Sequence, residues 1–142
     1  MEELKAYWPD RIPQLGICVV KQINFEDNKA IISNGHVRVY PKLDQITILR
    51  PTGITDSTGT KIYEFDYVQD EKNIYLVEWN QQQTCFWLNP VKSKVNEDFF
   101  IYVLNNQGLG NGYYSRKDLT IIGNKLTSEK EIENNEPAED KS

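Results

Sequence analysis

Lys29-Ala30-Ile31-Ile32-Ser33-Asn34-Gly35-His36-Val37-Arg38-Val39-Tyr40 places an Asn-Gly pair between two runs rich in β-branched residues. Val, Ile and Tyr suit a pleated, half-buried surface. Asn-Gly is the strongest short-range hairpin signal, because a type I′ turn needs positive φ at both central positions. Residues 29–40 are therefore expected to form a β-hairpin. Further strand-like runs lie outward from it at 17–23, 45–49, 74–79 and 85–88, separated by clusters of Asn, Asp, Gly and Pro. The polar run Asn80-Gln81-Gln82-Gln83 suggests a second hairpin. Residues 99–104 fit one helical face as well as a fully buried strand; strand is the preferred reading. Residues 119–122 read as the last strand, stopped by Gly123-Asn124.

Two segments bound this β-rich body. In Ala6-Tyr7-Trp8-Pro9-Asp10-Arg11-Ile12-Pro13 the prolines remove backbone donors and break any helix, so 1–16 is expected to be an extended arm. From Ser128 onward apolar residues nearly vanish, and such a segment cannot repay its ordering entropy by burial. The expected organisation is one compact β domain over 1–126 with a disordered acidic tail over 127–142. The whole chain has 142 residues, 39% of them hydrophobic, which places it in the globular class despite a mean hydropathy of -0.61. No run approaches the ~18 apolar residues of a membrane span, and the first residues lack the charged and apolar blocks of a secretory signal. A cytoplasmic location and no membrane partner are expected. Cys18 and Cys85 form no CxxC pair and read as reduced core side chains.

The net charge of -5 is unevenly placed, with -4 in residues 127–142 and -1 in the rest. Lys92, Lys94, Arg116 and Lys117 make at most two small basic spots. A nearly neutral body offers no broad footprint for a phosphate backbone, so nucleic acid is an unfavoured partner. The loop at 108–112 lacks the spacing and the strand-then-helix setting of a phosphate-binding loop. His36 is the sole histidine, which leaves no His cluster for a metal and ties any triad to that one residue.

The run Pro51-Thr52-Gly53-Ile54-Thr55-Asp56-Ser57-Thr58-Gly59-Thr60 is turn chemistry joining two strands: Asp56 can cap its own backbone and Gly59 can take the left-handed conformation. Together with Ile62-Tyr63-Glu64, Asp66 and Val68 it resembles the central signature of the YopX family, TG(L/I)xDxxGxxIYEGDxV. Ile23-Asn24-Phe25-Glu26-Asp27-Asn28, Leu43-Asp44-Gln45 and Leu119-Thr120-Ile121-Ile122-Gly123-Asn124 are similar to the family's flanking segments, so the resemblance spans roughly residues 17–124. The chain departs from the pattern at Phe65, where the family has glycine, and at Arg50-Pro51. The resemblance implies a small β-barrel-like fold, SH3-like in its later half, encoded by phages or prophages and carrying neither an enzymatic activity nor a cofactor.

Within the motif, Thr52, Gly53, Asp56, Gly59, Tyr63, Glu64 and Asp66 are the candidate binding residues; no catalytic or metal-ligating residue is assigned. Asp56 reads first as a turn cap and Asp66 as an acceptor of backbone amides. Glu64 and Asp66 would share one face of a strand, a spacing that could seat a divalent cation. The preferred function is a non-catalytic binding module acting stoichiometrically on a host or phage protein. The alternatives are a metal-dependent enzyme built on Asp56, Glu64 and Asp66, and a single-strand nucleic-acid binder that stacks bases on Tyr75, Trp79, Phe86 or Trp87. An exposed sheet edge would also permit homo-oligomers.

Overall fold

The structure is a computed structural model describing residues 3–71, 73–93, 102–104, 113–114 and 119–128. The glycine-rich loop at 108–112, residues 99–101 and the tail beyond 128 lie outside the described residues. The chain divides into two compact units, Met1–Pro51 and Thr52–Ser142.

The first unit is a five-stranded antiparallel sheet in the order β4-β3-β2-β1-β5. Its strands are β1 (Lys5–Tyr7), β2 (Cys18–Asn24), β3 (Lys29–Ser33), β4 (Arg38–Val39) and β5 (Thr47–Leu49), with a 3-10 turn at Leu43–Gln45. The expected extended arm is extended only over Lys5–Tyr7, where β1 is paired on both sides, with Ala6 opposite Cys18 of β2 and Ile48 of β5, and it then turns at residues 8–11, the Arg11 N–H donating to the Trp8 carbonyl (3.3 Å). The small Ala6 is fully buried at that crowded position, and Pro9 and Pro13 follow where no ladder donor is needed. Ala6, Cys18, Ala30, Ile32 and Val39 form the core of this unit, with Trp8, Leu15 and Val20 packed against it.

The hairpin over 29–40 forms, with a turn one residue later than the Asn-Gly signal suggests. The Asn34 N–H donates to the Val37 carbonyl (3.3 Å), which leaves Gly35 and His36 as the central pair. Only Gly35 has positive φ (+95°), the signature of a type II′ turn. Asn34 instead uses its side chain: Oδ1 accepts the amides of His36 (2.9 Å) and Val37 (3.0 Å).

The second unit contains all but the first residue of β6 (Pro51–Thr55), which pairs with β7 (Lys61–Tyr63), and a six-stranded sheet in the order β12-β11-β10-β9-β8-β13. The strands of that sheet are β8 (Asp66–Gln69), β9 (Asn73–Asn80), β10 (Cys85–Ser93), β11 (Tyr102–Leu104), β12 (Tyr113–Tyr114) and β13 (Thr120–Asn124). All described pairs are antiparallel except β11 beside β12. The last strand returns to β8, so Asn124 lies opposite Asp66 of the motif. Ile54, Ile62, Val68, Tyr75, Val77, Leu88, Leu104 and Leu119 form one buried cluster, and Tyr67, Ile74 and Leu76 a second. The mainly β expectation holds. Among the described residues, however, no sheet closes into a barrel, because β4 and β5 end one sheet and β12 and β13 the other. Among the same residues no helix is long and apolar enough to cross a membrane.

Two four-residue loops share one device. At 25–28, Asn24 Oδ1 accepts the Asp27 amide (3.1 Å); at 81–84, Asn80 Oδ1 accepts the Gln83 amide (2.9 Å). Each loop closes on a residue at positive φ, Asn28 at 56° and Thr84 at 51°. Asn tolerates that region, whereas a β-branched Thr is strained there. Thr84 is exposed and packs little. Replacing Thr84 by Gly is therefore expected to raise stability by about 1 kcal/mol, read as a higher urea midpoint at unchanged slope; a lower midpoint would contradict the strain.

Gly59 occupies the expected turn position with φ +88°, and a Cβ there would meet no atom within 4 Å. Gly59→Val is expected to cost about 1 kcal/mol or more through backbone strain rather than a clash. A thermal melt matching the wild type would refute it.

Candidate functional site

Asp56 opens the turn between β6 and β7. Its N–H donates to the Thr60 carbonyl (2.8 Å) and its carbonyl accepts the Gly59 amide (3.0 Å). Its side chain is 4% exposed. Oδ1 accepts the Thr58 amide (2.9 Å), the Thr58 hydroxyl (2.7 Å) and the Thr60 amide (3.0 Å), while Oδ2 accepts the Ile121 amide of β13 (3.0 Å). The Ser57 amide donates to the Leu119 carbonyl (2.8 Å), and the Ser57 and Thr120 hydroxyls lie 3.1 Å apart. One carboxylate thus folds its own turn and holds that turn against the last strand. Burial alone would raise its pKa, but the Ile121 amide, the Thr58 hydroxyl and the Thr60 and Thr58 amides outweigh burial and hold it below the usual carboxylate value.

The second turn, between β7 and β8, repeats the logic. Asp66 Oδ2 accepts the Tyr63 amide (2.8 Å) and Oδ1 accepts the Asn124 side-chain amide (3.0 Å). Asn124 in turn caps a helical turn over residues 125–128, its Oδ1 accepting the Leu126 amide (2.9 Å). The Phe65 N–H donates to the Val77 carbonyl (2.9 Å) and the Phe65 carbonyl accepts the Lys125 amide (2.8 Å). Phe65, at the family's glycine position, has φ 74°. The expected shared strand face for Glu64 and Asp66 is corrected: Glu64 lies in the turn and only Asp66 is in the ladder.

The remaining candidates serve the same frame. The Thr52 hydroxyl donates to the Ile62 carbonyl (2.8 Å) and accepts the Ile54 amide (3.2 Å), bridging β6 to β7. Gly53 has φ +83° within β6, and Tyr63 and Glu64 are buried. No three His, Cys, Asp or Glu side chains among the described residues gather where they could hold a metal ion. His36 is exposed at its turn. The aromatic alternation is mostly core: Tyr75 and Val77 are buried, and Trp79 meets Phe86 edge to face at 4.9 Å. Sequence reasoning missed Asn124 as the partner of Asp66. The Gly-Asn stop signal marks that position, since Asn is a favoured helix cap.

The pH dependence follows from Asp56. An unfolded Asp titrates near about 3.9, and the folded carboxylate titrates lower. Its stabilisation is therefore full above that pH and is lost as pH falls through the folded value. Asp56→Asn is expected to cost about 3 kcal/mol near neutrality and to flatten the acid limb of stability in urea titrations between neutral pH and pH 3. An unchanged acid limb would contradict it. At Phe65, Gly is expected to be about 1 kcal/mol more stable than Ala, the reverse of their usual order in a strand or helix, because both lose the ring and only Ala keeps the left-handed strain.

A search of curated proteins yields no match to the chain. The family model described as YopX protein matches residues 8–128, a span that takes in both tied turns and the Asn124 cap. With its two motif carboxylates binding the turns to the last strand, the chain belongs to the YopX family.

Proposed function

We propose that the protein is a phage- or prophage-encoded binding module of the host cytoplasm, which acts by stoichiometric association with a host or phage protein and performs no turnover. The observation that supports this reading is the occupancy of the motif acids. Asp56 accepts four hydrogen bonds from protein groups, three at Oδ1 and one at Oδ2, and is 4% exposed. A general base must instead reach a substrate proton within hydrogen-bond distance. Asp66 likewise faces Tyr63 and Asn124. The family signature thereby reads as architecture, and recognition falls to exposed surface.

The test is a panel of Asp56→Ala, Glu64→Ala and Asp66→Ala, each assayed for melting temperature, metal binding and hydrolase, transferase or nuclease turnover. Asp56→Ala and Asp66→Ala are expected to lower the melting temperature, with no turnover in the wild type to lose. Variants that stay folded yet lose a metal-dependent turnover of the wild type would replace the binding module by an enzyme.

A further inference from the structure

In the first unit, β4 ends the sheet and leaves specific backbone groups unpaired. Asn34 is hydrogen-bonded to Val37 and Ala30 to Pro41, and Ile32 pairs with Val39 between them. Hydrogen-bonded pairs alternate in an antiparallel ladder, so the N–H and C=O of Arg38 and of Tyr40 point away from β3, off the edge of the sheet. The side chains on either side of Val39 also face outward, because Val39 belongs to the core while Arg38 and Tyr40 are exposed, Tyr40 by 66%.

The same outer face carries Lys21 and Lys29, with the Asp27 carboxylate held on Asn24 at the far end of β2 (3.1 Å). Gln22 and Asn24 of β2 pair with Ile31 and Lys29 of β3, and the bulge between Val20 and Gln22 turns Lys21 outward as well. Gln22, Asn24, Lys29, Ala30, Ile31 and Tyr40 line a shallow cavity of about 200 Å³. Lys21 lines a second cavity beside Val19 and Ser33. Lys21, Lys29 and Arg38 make no ion pair among the described residues. Arg38, the exposed Tyr40 and two outward backbone pairs therefore lie at the edge itself, with Lys29 on the neighbouring strand and Lys21 one strand further in.

We infer that this edge binds an extended acidic segment of a partner protein, which adds as a strand beside β4 with its carboxylates against Arg38 and, across β4, Lys29. The inference rests on the binding-module reading and names the surface and the chemistry of the partner. Unpaired backbone amides and carbonyls match a peptide strand, whereas a nucleic acid would use the cations alone. A second copy of β4 would set these cations against their own kind, and like charges directly opposite are unfavourable.

The experiment uses the full chain and a fluorescein-labelled, end-blocked peptide alternating glutamate with valine. A lysine-valine peptide, a single-stranded oligothymidine and sedimentation of the protein alone accompany it. The glutamate peptide is expected to bind with an affinity that falls with salt, to shift the amide resonances of Arg38 and Tyr40 most, and to bind about tenfold more weakly to Arg38→Glu or Lys29→Glu. Tyr40→Pro removes one outward N–H while leaving the Val39 pairing to β3, and is expected to weaken binding similarly. If any variant fails to fold, the resonance map of the wild type decides alone. No binding at about 1 mM peptide, shifts centred elsewhere, equal binding of the lysine peptide, tighter binding of the oligothymidine, or a dimer paired through β4 would each overturn the inference. These outcomes are independent of the turnover assays that decide the broader reading.

Discussion

The carboxylate of Asp56 is the constraint on which the second unit depends. It is nearly buried, and it remains ionised because two backbone amides and a hydroxyl of its own turn converge on Oδ1 and the Ile121 amide closes on Oδ2. Burying a charge without such partners is costly. One of the four bonds that stabilise the anion, from the Ile121 amide, also ties β13 to the turn. The carboxylate that closes the β6–β7 turn therefore also holds β13 beside it.

Asp66 extends that constraint along β13. Asp56 holds the strand at Ile121, and Asp66 holds it at Asn124, where the strand ends and a helical turn begins. Between these ties the ladder to β8 contains an irregularity between Ile121 and Gly123. Bulges loosen a ladder locally, and side-chain acceptors on both sides of this one keep the edge strand in register. The motif residues are therefore legible as one mechanical set: Thr52 joins β6 to β7, Gly59 closes the first turn, and Asp56 and Asp66 carry both turns to the last strand.

Elsewhere the fold tolerates positive φ at residues that do not favour it. Phe65 and Thr84 both hold left-handed backbone: at Phe65 the amide and carbonyl are both hydrogen-bonded, to Val77 and Lys125, while Thr84 directly follows Gln83, whose amide Asn80 accepts. Strain of this size persists only where neighbouring contacts enforce it.

The class of structure and the nature of its turns are legible in the residues alone. Period-two runs of Val, Ile and Tyr, the Asn, Asp and Gly at their ends, and an aspartate two residues before Thr58 act over a few neighbours, so strands 29–33 and 74–79, the Gly59 turn and the Asp56 cap could be read directly. Tertiary structure decided what depends on distant partners. Lys5-Ala6-Tyr7 is a central strand only because β2 and β5 flank it. The Asn-Gly hairpin shifted by one residue once the Asn34 side chain captured two amides. The sheets stayed open rather than closing into a barrel. The union of Asp56 with Ile121, 65 residues away, could not be seen in any local window, because a hydrogen bond between remote segments leaves no period in the chain and exists only after the core has brought them together.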